Sequence, residues 1–198
     1  ADVIKVDPPE GDPVRVMYRI FASCTRGKKC IAVDLKKPEG VALIRRLAKE
    51  ADVVMHNMRV GVDKRLGIDA KSLREANPDL VYLHSSAFGQ KGPQATNSGF
   101  DPVTQPFSGH SIRAGGQGND PIVHHIPVLD YGTGALGAVG ILQGLLQVAA
   151  GKPADMDASL LSAGLYFMSE LVKTADGEFK GAPVLNRTQT GFHPAESL

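Results

Sequence analysis

Between residues 29 and 87, apolar runs with strand character alternate with stretches of helical spacing. Three runs are rich in β-branched residues and predict strands: KCIAVDL (29–35), DVVMH (52–56) and DLVYLHSSA (79–87). A helix is predicted from Pro38, and two shorter helices are predicted between the second and third strands, before Pro78. This order is typical of parallel βαβ units. It predicts an α/β fold in which ligands bind at the carboxyl ends of the strands.

The rest of the chain adds a strand, further helices and two loop regions. In chain order these are a strand at 2–6, polar irregular sequence at 7–29, a glycine- and proline-rich region at 88–126 with a short helix around Pro102–Phe107, a long apolar helix at 130–150, a helix from about Ala158, and polar loop-like sequence at 174–198. A loop region as long as 88–126 usually serves a site.

The carboxyl ends of the predicted strands mark the places where we expect ligand contacts. They fall at Asp34–Lys36, His56–Met58 and Ser85–Gly89. Lys36 lies at the first of these ends and Arg65 follows the second, so each is either a solvated surface cation or a partner for phosphate.

Composition is that of an ordinary globular protein. The 198 residues are 42% hydrophobic and 22% charged, and the net charge of +1 gives no field that would attract nucleic acid or an anionic membrane. Cys24 and Cys30 do not form a C-x-x-C pair and no Cys/His cluster has zinc spacing, so we expect reduced thiols and no metal. No secretory signal opens the sequence. We expect a cytoplasmic protein and, because no initiator Met is present, a piece of a longer one.

Three glycines spell G-x-G-x-x-G in VLDYGTGALGAVG (128–140). This fingerprint of a dinucleotide-binding turn requires an apolar strand before the turn and another, ending in an acid, after its helix. The preceding HHIPVLDY contains a proline, and the following KPADMD is too polar and short for a central strand. We interpret Gly132, Gly134 and Gly137 as helix-packing residues. A nicotinamide dehydrogenase stays an alternative that rests on this motif alone.

The helix that contains these glycines has about the length of a membrane span. Gln143 and Gln147 lie within it, and Gly140 and Gly144 would let another backbone approach. We therefore expect a buried, closely packed helix.

Asp130 lies two positions before the first of these glycines. An aspartate at a helix start is commonly a cap. In the alternative interpretation, the backbone N–H groups of the helix start bind an oxyanion beside the carboxylate, and Gly132 and Gly134 let a substrate come close. A carboxylate so placed can attack an activated acyl group covalently.

Seven ordered blocks resemble the class III CoA-transferases, a family that includes formyl-CoA transferase-like, carnitine CoA-transferase-like and α-methylacyl-CoA racemase-like enzymes. The blocks are ADVIKVDPPEGDPVR, RGKKCIAVDLKKPEG, ADVVMHNMRVGVDKRLGID, NPDLVYLHSSAFGQKGP, SGFDPVTQPFSG, PVLDYGTGALGAVGILQGLL and DASLLSAGLYFMSE. They cover nearly the whole chain, to about Glu170.

The resemblance implies an α/β, Rossmann-like parallel sheet with flanking helices, the large-domain portion of a fold in which two subunits interlock like links of a chain. We expect residues 1–170 to form part of a CoA-binding large domain and residues 171–198 to form a linker toward a smaller domain. The first strand-turn-helix of the family and its C-terminal return lie outside this sequence.

The resemblance also implies site residues. The catalytic aspartate falls on Asp130, and CoA contacts fall on Val33, Lys36, Asn57, Met58, Val62, Arg65, Leu66 and Leu160. Lys36 and Arg65 would bind phosphates, and the apolar residues would line the adenine and pantetheine path. Coenzyme A is then a co-substrate rather than a permanently bound cofactor, and the partners are an acyl-CoA and a carboxylic acid.

The implied reaction transfers CoA to an acid through an aspartyl-CoA thioester on Asp130. Backbone N–H groups near Gly132–Gly134 or in the loop FGQKG (88–92) would hold the oxyanions, and water must be excluded. Racemases of the family exchange an α-proton with a His-Asp pair whose histidine lies in Gly-His-Asp. Gly99-Phe100-Asp101 stands there in this chain, which favours transfer. An acyl-CoA racemase and a non-catalytic CoA-binding module stay as alternatives.

Overall fold

Parallel strand pairing organises the chain into two sheets. The computed structural model describes residues 1–116, 119–169 and 172–180. Its strands are β1 (Ile4–Asp7), β2 (Lys29–Ala32), β3 (Val53–His56), β4 (Val81–Ser86), β5 (Ala154–Ser159), β6 (Val172–Lys173) and β7 (Phe179–Lys180). β1 pairs with β2 in parallel, and β3, β4 and β5 form a parallel sheet with β4 in the centre. The predicted α/β fold with parallel strands is confirmed.

Helices connect and flank these strands. A 3-10 helix covers Pro13–Val16, and the α-helices are α1 (Tyr18–Thr25), α2 (Pro38–Lys49), α3 (Val62–Leu66), α4 (Ala70–Arg74), α5 (Asp101–Phe107), α6 (His110–Gly115), α7 (Val128–Ala149) and α8 (Leu160–Phe167). α2 begins as predicted, because Pro38 suits the first turn and Glu39 lies near its positive end.

The two faces of β4 are covered by different helices, because side chains alternate along a strand. Tyr82 lies on one face, in a buried cluster with Ala48 of α2 and Leu73 of α4. Arg74 of α4 ties this layer to the sheet: its guanidinium donates to the Leu80 and Ala154 carbonyls and pairs with Asp155.

α7 covers the opposite face and crosses β4 in the reverse direction. Gly137 lies against Leu83, whereas Gly144, two turns later along the helix, lies against Val81. The helix therefore begins near the carboxyl end of β4 and ends near its start. Gly132 and Gly137 pack the helix against its neighbours, as predicted, whereas the prediction was wrong for Gly134, which is exposed; all three lie inside the helix rather than in a turn before it.

The N-terminal end of α7 packs on α8. A Cβ atom at Gly132 would stand 2.5 Å from Phe167 and 3.4 Å from Ala163, so the absence of a side chain lets the two helices touch. Since α8 follows β5 directly, this contact also places the start of α7 at the carboxyl edge of the sheet.

α7 is buried on the face that contacts the sheet and exposed on its outer face. The expectation of a buried helix was therefore wrong for the outer face. Val139, Leu142 and Leu146 are 62%, 63% and 73% exposed on the outer face. By length and composition α7 could cross a membrane, a test that core helices of soluble proteins also pass. Its glycine face, however, packs on β4, β5 and α8.

Several segments differ from the sequence prediction. Residues 7–29 contain the 3-10 helix and α1, and α6 follows the predicted helix at 101–107. KPADMD contributes to β5, which tolerates its polar residues because it lies at the end of the described sheet order. Residues 172–180 form a hairpin, whereas residues 181–198 lie outside the described structure. Cys24 and Cys30 are exposed and free of a disulfide.

Two glycines of α7 should respond oppositely to the same substitution. A Cβ atom at Gly144 would stand 2.7 Å from Val81 Cγ1 and 3.3 Å from Ala154 Cβ, both in the sheet, whereas one at Gly134 would meet nothing within 4 Å in the described residues outside its own helix. We expect Gly144→Ala to lower the free energy of unfolding by about 1–3 kcal/mol and Gly134→Ala to raise it by about 0.5–1 kcal/mol. Urea denaturation measures both, and equal shifts of the same sign would contradict this packing.

Candidate active site

Asp130 is the third residue of α7, at the carboxyl edge of the sheet, and its side chain is exposed. The edge is shared by three strands, because His56 pairs with His84 and Ser86 pairs with Ser159. The predicted nucleophile therefore lies at the edge where the fold class places ligands.

A buried carboxylate from a distant segment caps α7. Asp101 is 2% exposed, and its Oδ2 accepts hydrogen bonds from the N–H groups of Leu129 (2.6 Å) and Asp130 (3.1 Å). Its Oδ1 accepts from the buried Gln105 amide, whose own Oε1 accepts from the His124 N–H at 2.7 Å. Three donors thus compensate the buried charge.

This cap corrects two interpretations of Asp130. The residue is not the cap of its helix, because Asp101 performs that function. The helix start also offers no free oxyanion site, because its four N–H groups are already engaged: Val128 donates to Ile126, Leu129 and Asp130 donate to Asp101, and Tyr131 donates to Pro127.

The environment of Asp130 disfavours its ionised form. Although the side chain is exposed, neighbouring protein atoms partly desolvate the carboxylate and raise its pKa to about 6, and the negative charge of Asp101 adds to the rise. A helix N-terminus normally favours an anion. Here the carboxylate of Asp101 already occupies that terminus.

The two glycines that follow Asp130 have different surroundings. Gly132 is buried against α8 and gives no access to a substrate. Gly134 is exposed one turn beyond Asp130, where residues four apart share a helix face. The predicted access beside the carboxylate is therefore found at Gly134 alone.

The eight predicted CoA contacts lie in three places. Val33 and Lys36 follow β2, and Leu160 opens α8 directly after β5. The other five fall in the segment 57–66, between the end of β3 and the end of α3. The structure leaves Lys36, Asn57 and Arg65 exposed, half-buries Met58, Val62 and Leu66, and buries Val33 and Leu160.

The segments after β2 and β3 meet at one core cluster. Leu35, Met58 and Leu66 all pack against the buried group that includes Ala48 and Tyr82. Leu160 follows β5, on the far side of β4, at the same carboxyl edge. The segments after β2 and β3 therefore meet on the Tyr82 face of the sheet, whereas α7 and Asp130 lie on the opposite face.

Sequence reasoning missed the capping function of Asp101. One signal was available: Pro127 precedes α7 and has no side-chain oxygen, so the N–H groups of the first turn required an acceptor from elsewhere. Beside Asp101, Phe100 is 74% exposed at the position where a racemase would have its histidine.

Comparison with known proteins identifies the family. The family model described as CoA-transferase family III matches residues 1–196. Succinate–glutarate CoA-transferase from Agrobacterium fabrum is 35% identical over 177 residues, which are 81% of this chain and 44% of the relative. Human α-methylacyl-CoA racemase is 34% identical over 176 residues, 88% of this chain and 44% of the relative.

A solved structure agrees with these sequence matches. A CAIB/BAIF family protein from Brucella suis superposes with a TM-score of 0.81 at 32% identity, over 85% of this chain and 48% of that protein. The chain thus spans under half the length of the relatives it matches.

Removing the charge of Asp101 should lower the pKa of Asp130, because a neutral neighbour no longer opposes ionisation. We expect the carboxyl ¹³C resonance of Asp130, identified by its loss in Asp130→Asn, to titrate near pH 6 in the wild type and at lower pH in Asp101→Asn. Asp157→Asn is the matched control, because it removes one carboxylate from the other face of the sheet. Asp157 pairs with His84 and therefore lies on the face away from α7. An unchanged midpoint in Asp101→Asn would contradict this electrostatic coupling.

Proposed function

The chain belongs to CoA-transferase family III, and we propose that it transfers CoA from an acyl-CoA thioester to a carboxylic acid, with Asp130 as the nucleophile. The observation that carries the proposal is an exposed carboxylate with a pKa of about 6 at the carboxyl edge of a parallel sheet. Near pH 7 this group is mostly ionised, yet it is less solvated than a surface aspartate, which suits a nucleophile.

The first half-reaction moves CoA onto the protein. A carboxylate oxygen of Asp130 attacks the thioester carbonyl, the C–S bond breaks, and CoA leaves as a thiolate while a mixed anhydride forms. The thiolate then attacks the Asp130 carbonyl of the anhydride. This step releases the donor acid as a carboxylate and leaves an aspartyl-CoA thioester.

The second half-reaction mirrors the first. The acceptor carboxylate attacks the aspartyl thioester, which expels the CoA thiolate and forms a second anhydride. The thiolate attacks the acceptor carbonyl, so that the new acyl-CoA leaves and the Asp130 carboxylate is restored. Water must be excluded throughout, because it would hydrolyse either anhydride.

The loop 88–92 is the proposed source of oxyanion donors. The start of α7 has no N–H to spare, whereas this loop follows β4 at the carboxyl edge. Gly89 and Gly92 have φ angles of 85° and 95°, which allow tight turns. The Gly89 N–H already donates to Ser86 Oγ at 3.0 Å, so the proposed donors are the N–H groups of residues 90–92.

The names of the relatives suggest the first substrates to test. The Agrobacterium relative is named a succinate–glutarate CoA-transferase, and a relative from Chloroflexus aurantiacus is named a succinyl-CoA–L-malate CoA-transferase alpha subunit. We propose succinyl-CoA as donor and a dicarboxylic acid as acceptor. Phe100, at the position of a racemase histidine, has no basic group for α-proton exchange.

We also propose the arrangement that the resemblance implied: residues 1–170 as part of a CoA-binding large domain, 171–198 as a linker, and an interlocked homodimer of the complete polypeptide in the cytoplasm, without nucleic acid or membrane partners. The exposed apolar face of α7 supports further protein contacts. The molar mass in solution tests the dimer.

A covalent acyl group on Asp130 should be trapped by hydroxylamine. We expect the complete polypeptide, incubated with succinyl-CoA and hydroxylamine, to yield a hydroxamate on Asp130 by mass spectrometry. The rate at which succinyl-CoA releases CoA thiol in the absence of hydroxylamine and acceptor should rise with pH through about 6 and level off above it, because only the carboxylate attacks.

Asp130→Asn is the control and should give no adduct. Absence of an adduct with every member of an acyl-CoA panel would contradict the proposal. A non-catalytic CoA-binding module would instead bind CoA without turnover, a racemase would incorporate deuterium at the α-carbon, and a dehydrogenase would bind NADH.

The exposed cations of the predicted CoA contacts should strengthen CoA binding. We expect Lys36→Ala and Arg65→Ala each to weaken CoA binding about fivefold by calorimetry, because each removes one cation from a solvent-exposed phosphate. Lys37→Ala and Lys64→Ala are matched controls, since each removes an adjacent exposed cation that the resemblance does not implicate. Equal effects in both pairs would contradict the specific assignment.

A further inference from the structure

Two histidines bind both polar groups of one backbone residue. The Met58 N–H donates to Nδ1 of His56 at 3.2 Å, and Nε2 of His84 lies 2.7 Å from the Met58 carbonyl oxygen. His56 ends β3, His84 is its partner in β4, and their rings stack with centroids 4.4 Å apart. Two adjacent strands therefore hold the chain two residues after β3 ends.

These contacts fix the proton positions on both rings. A carbonyl oxygen only accepts, so Nε2 of His84 carries a proton, and Nδ1 of His56 must be unprotonated to accept from Met58. Burial and, to a smaller extent, repulsion from His84 lower the pKa of His56, and the carboxylate of Asp63, 4.0 Å from Nε2, opposes them; the net result is a pKa of about 4. His56 is therefore neutral at pH 7.

The pair does more than fill space. Nε2 of His56 is buried and has no hydrogen-bond partner within the described part of the chain, an unfavourable arrangement that a purely apolar side chain would avoid. Nδ1, in contrast, has its partner in Met58. The structure thus keeps an acceptor at the Nδ1 position in spite of the buried Nε2–H.

Met58 stands where the chain leaves the sheet. Asn57, Met58, Val62, Arg65 and Leu66 all lie in the segment 57–66 that follows. The side chains of Met58 and Leu66 pack into the core, while Asn57 and Arg65 are exposed. The direction of the backbone at Met58 therefore determines where the exposed members of the segment stand.

We propose that His56 and His84 are positioning residues of the CoA site, which fix the backbone at Met58 and thereby the segment 57–66. This inference rests on the proposed function, because CoA binding by that segment is part of it. Neither histidine contacts the substrate: each acts through the backbone of Met58.

Substituting each histidine by asparagine and by glutamine tests the hydrogen bonds to Met58. The amide oxygen of asparagine occupies the place of Nδ1, and the amide nitrogen of glutamine reaches the place of Nε2. His56→Asn and His84→Gln therefore keep the bonds to Met58, whereas His56→Gln and His84→Asn displace them. All four variants replace a buried ring by an amide, so they lose ring packing alike.

The measurements are KM and kcat of the complete polypeptide with succinyl-CoA and a dicarboxylic acceptor, well below the melting temperature of each variant. We expect His56→Gln and His84→Asn, the displaced variants, each to raise KM about three- to tenfold, which is the effect of losing one neutral hydrogen bond. Their kcat should stay within about twofold of the wild-type value. His56→Asn and His84→Gln, the matched variants, should each keep KM within about twofold of the wild-type value.

The outcomes separate this inference from the proposed function. A wild-type protein that neither binds CoA nor turns over succinyl-CoA refutes the proposed function, and this inference with it. A working wild type whose matched and displaced variants have equal KM refutes the positioning function alone, as does a fall in kcat at constant KM. If a displaced variant does not fold, the KM of the other displaced variant decides by the same criteria.

Discussion

The close contact between α7 and the central sheet determines the rest of the arrangement. Gly137 and Gly144 have no side chains where the helix meets β4, so the backbone lies directly on Leu83 and Val81. A glycine within a helix costs about 0.5–1 kcal/mol relative to alanine, which the packing must offset. The direction of this contact, with later helix residues against earlier strand residues, places Asp130 at the carboxyl edge.

The spacing of apolar residues along the sequence predicted the strands and helices whose own residues have a clear period. The alternation over 29–87 predicted β2, α2, β3 and β4, because each segment has its own period of apolar residues. β5 escaped prediction, since its formation depends on pairing with the distant β4. α1 and α6 also escaped prediction, although each packs on the element directly before it. β5 is polar at Asp155 and Asp157, yet it pairs with the buried residues of β4, and Arg74 from α4 compensates Asp155.

The candidate site shows the same division. Asp130 and the exposed cations could be proposed as site residues from the sequence, because the resemblance attaches to contiguous residues, and these assignments stay predictions. The cap could not: Asp101 lies in a different helix, and no periodicity connects it with Leu129. The positions of His56 and His84 were visible as strand residues, but their bonds to Met58 depend on the register between β3 and β4.

Asp101, His56 and His84 thus all bind backbone groups. Asp101 satisfies the N–H groups at the start of α7, and in doing so it places a negative charge where a helix would otherwise favour an anion. The consequence for Asp130 has a definite sign. Its pKa rises from 3.8 unfolded to about 6 folded, so the folded chain binds this proton more tightly, and the stability it contributes is present below pH 3.8 and lost as pH rises through 6.

In the proposed mechanism the ionised carboxylate attacks, and it is therefore the form that the fold tolerates less. A fold selected for stability alone would leave the N–H groups of α7 to stabilise Asp130 as an anion, and a fully solvated, low-pKa carboxylate is a weaker nucleophile. The cap by Asp101 removes that stabilisation from Asp130 while keeping the helix start satisfied. In this arrangement one buried carboxylate satisfies the helix start and raises the pKa of the exposed carboxylate that we propose as the nucleophile.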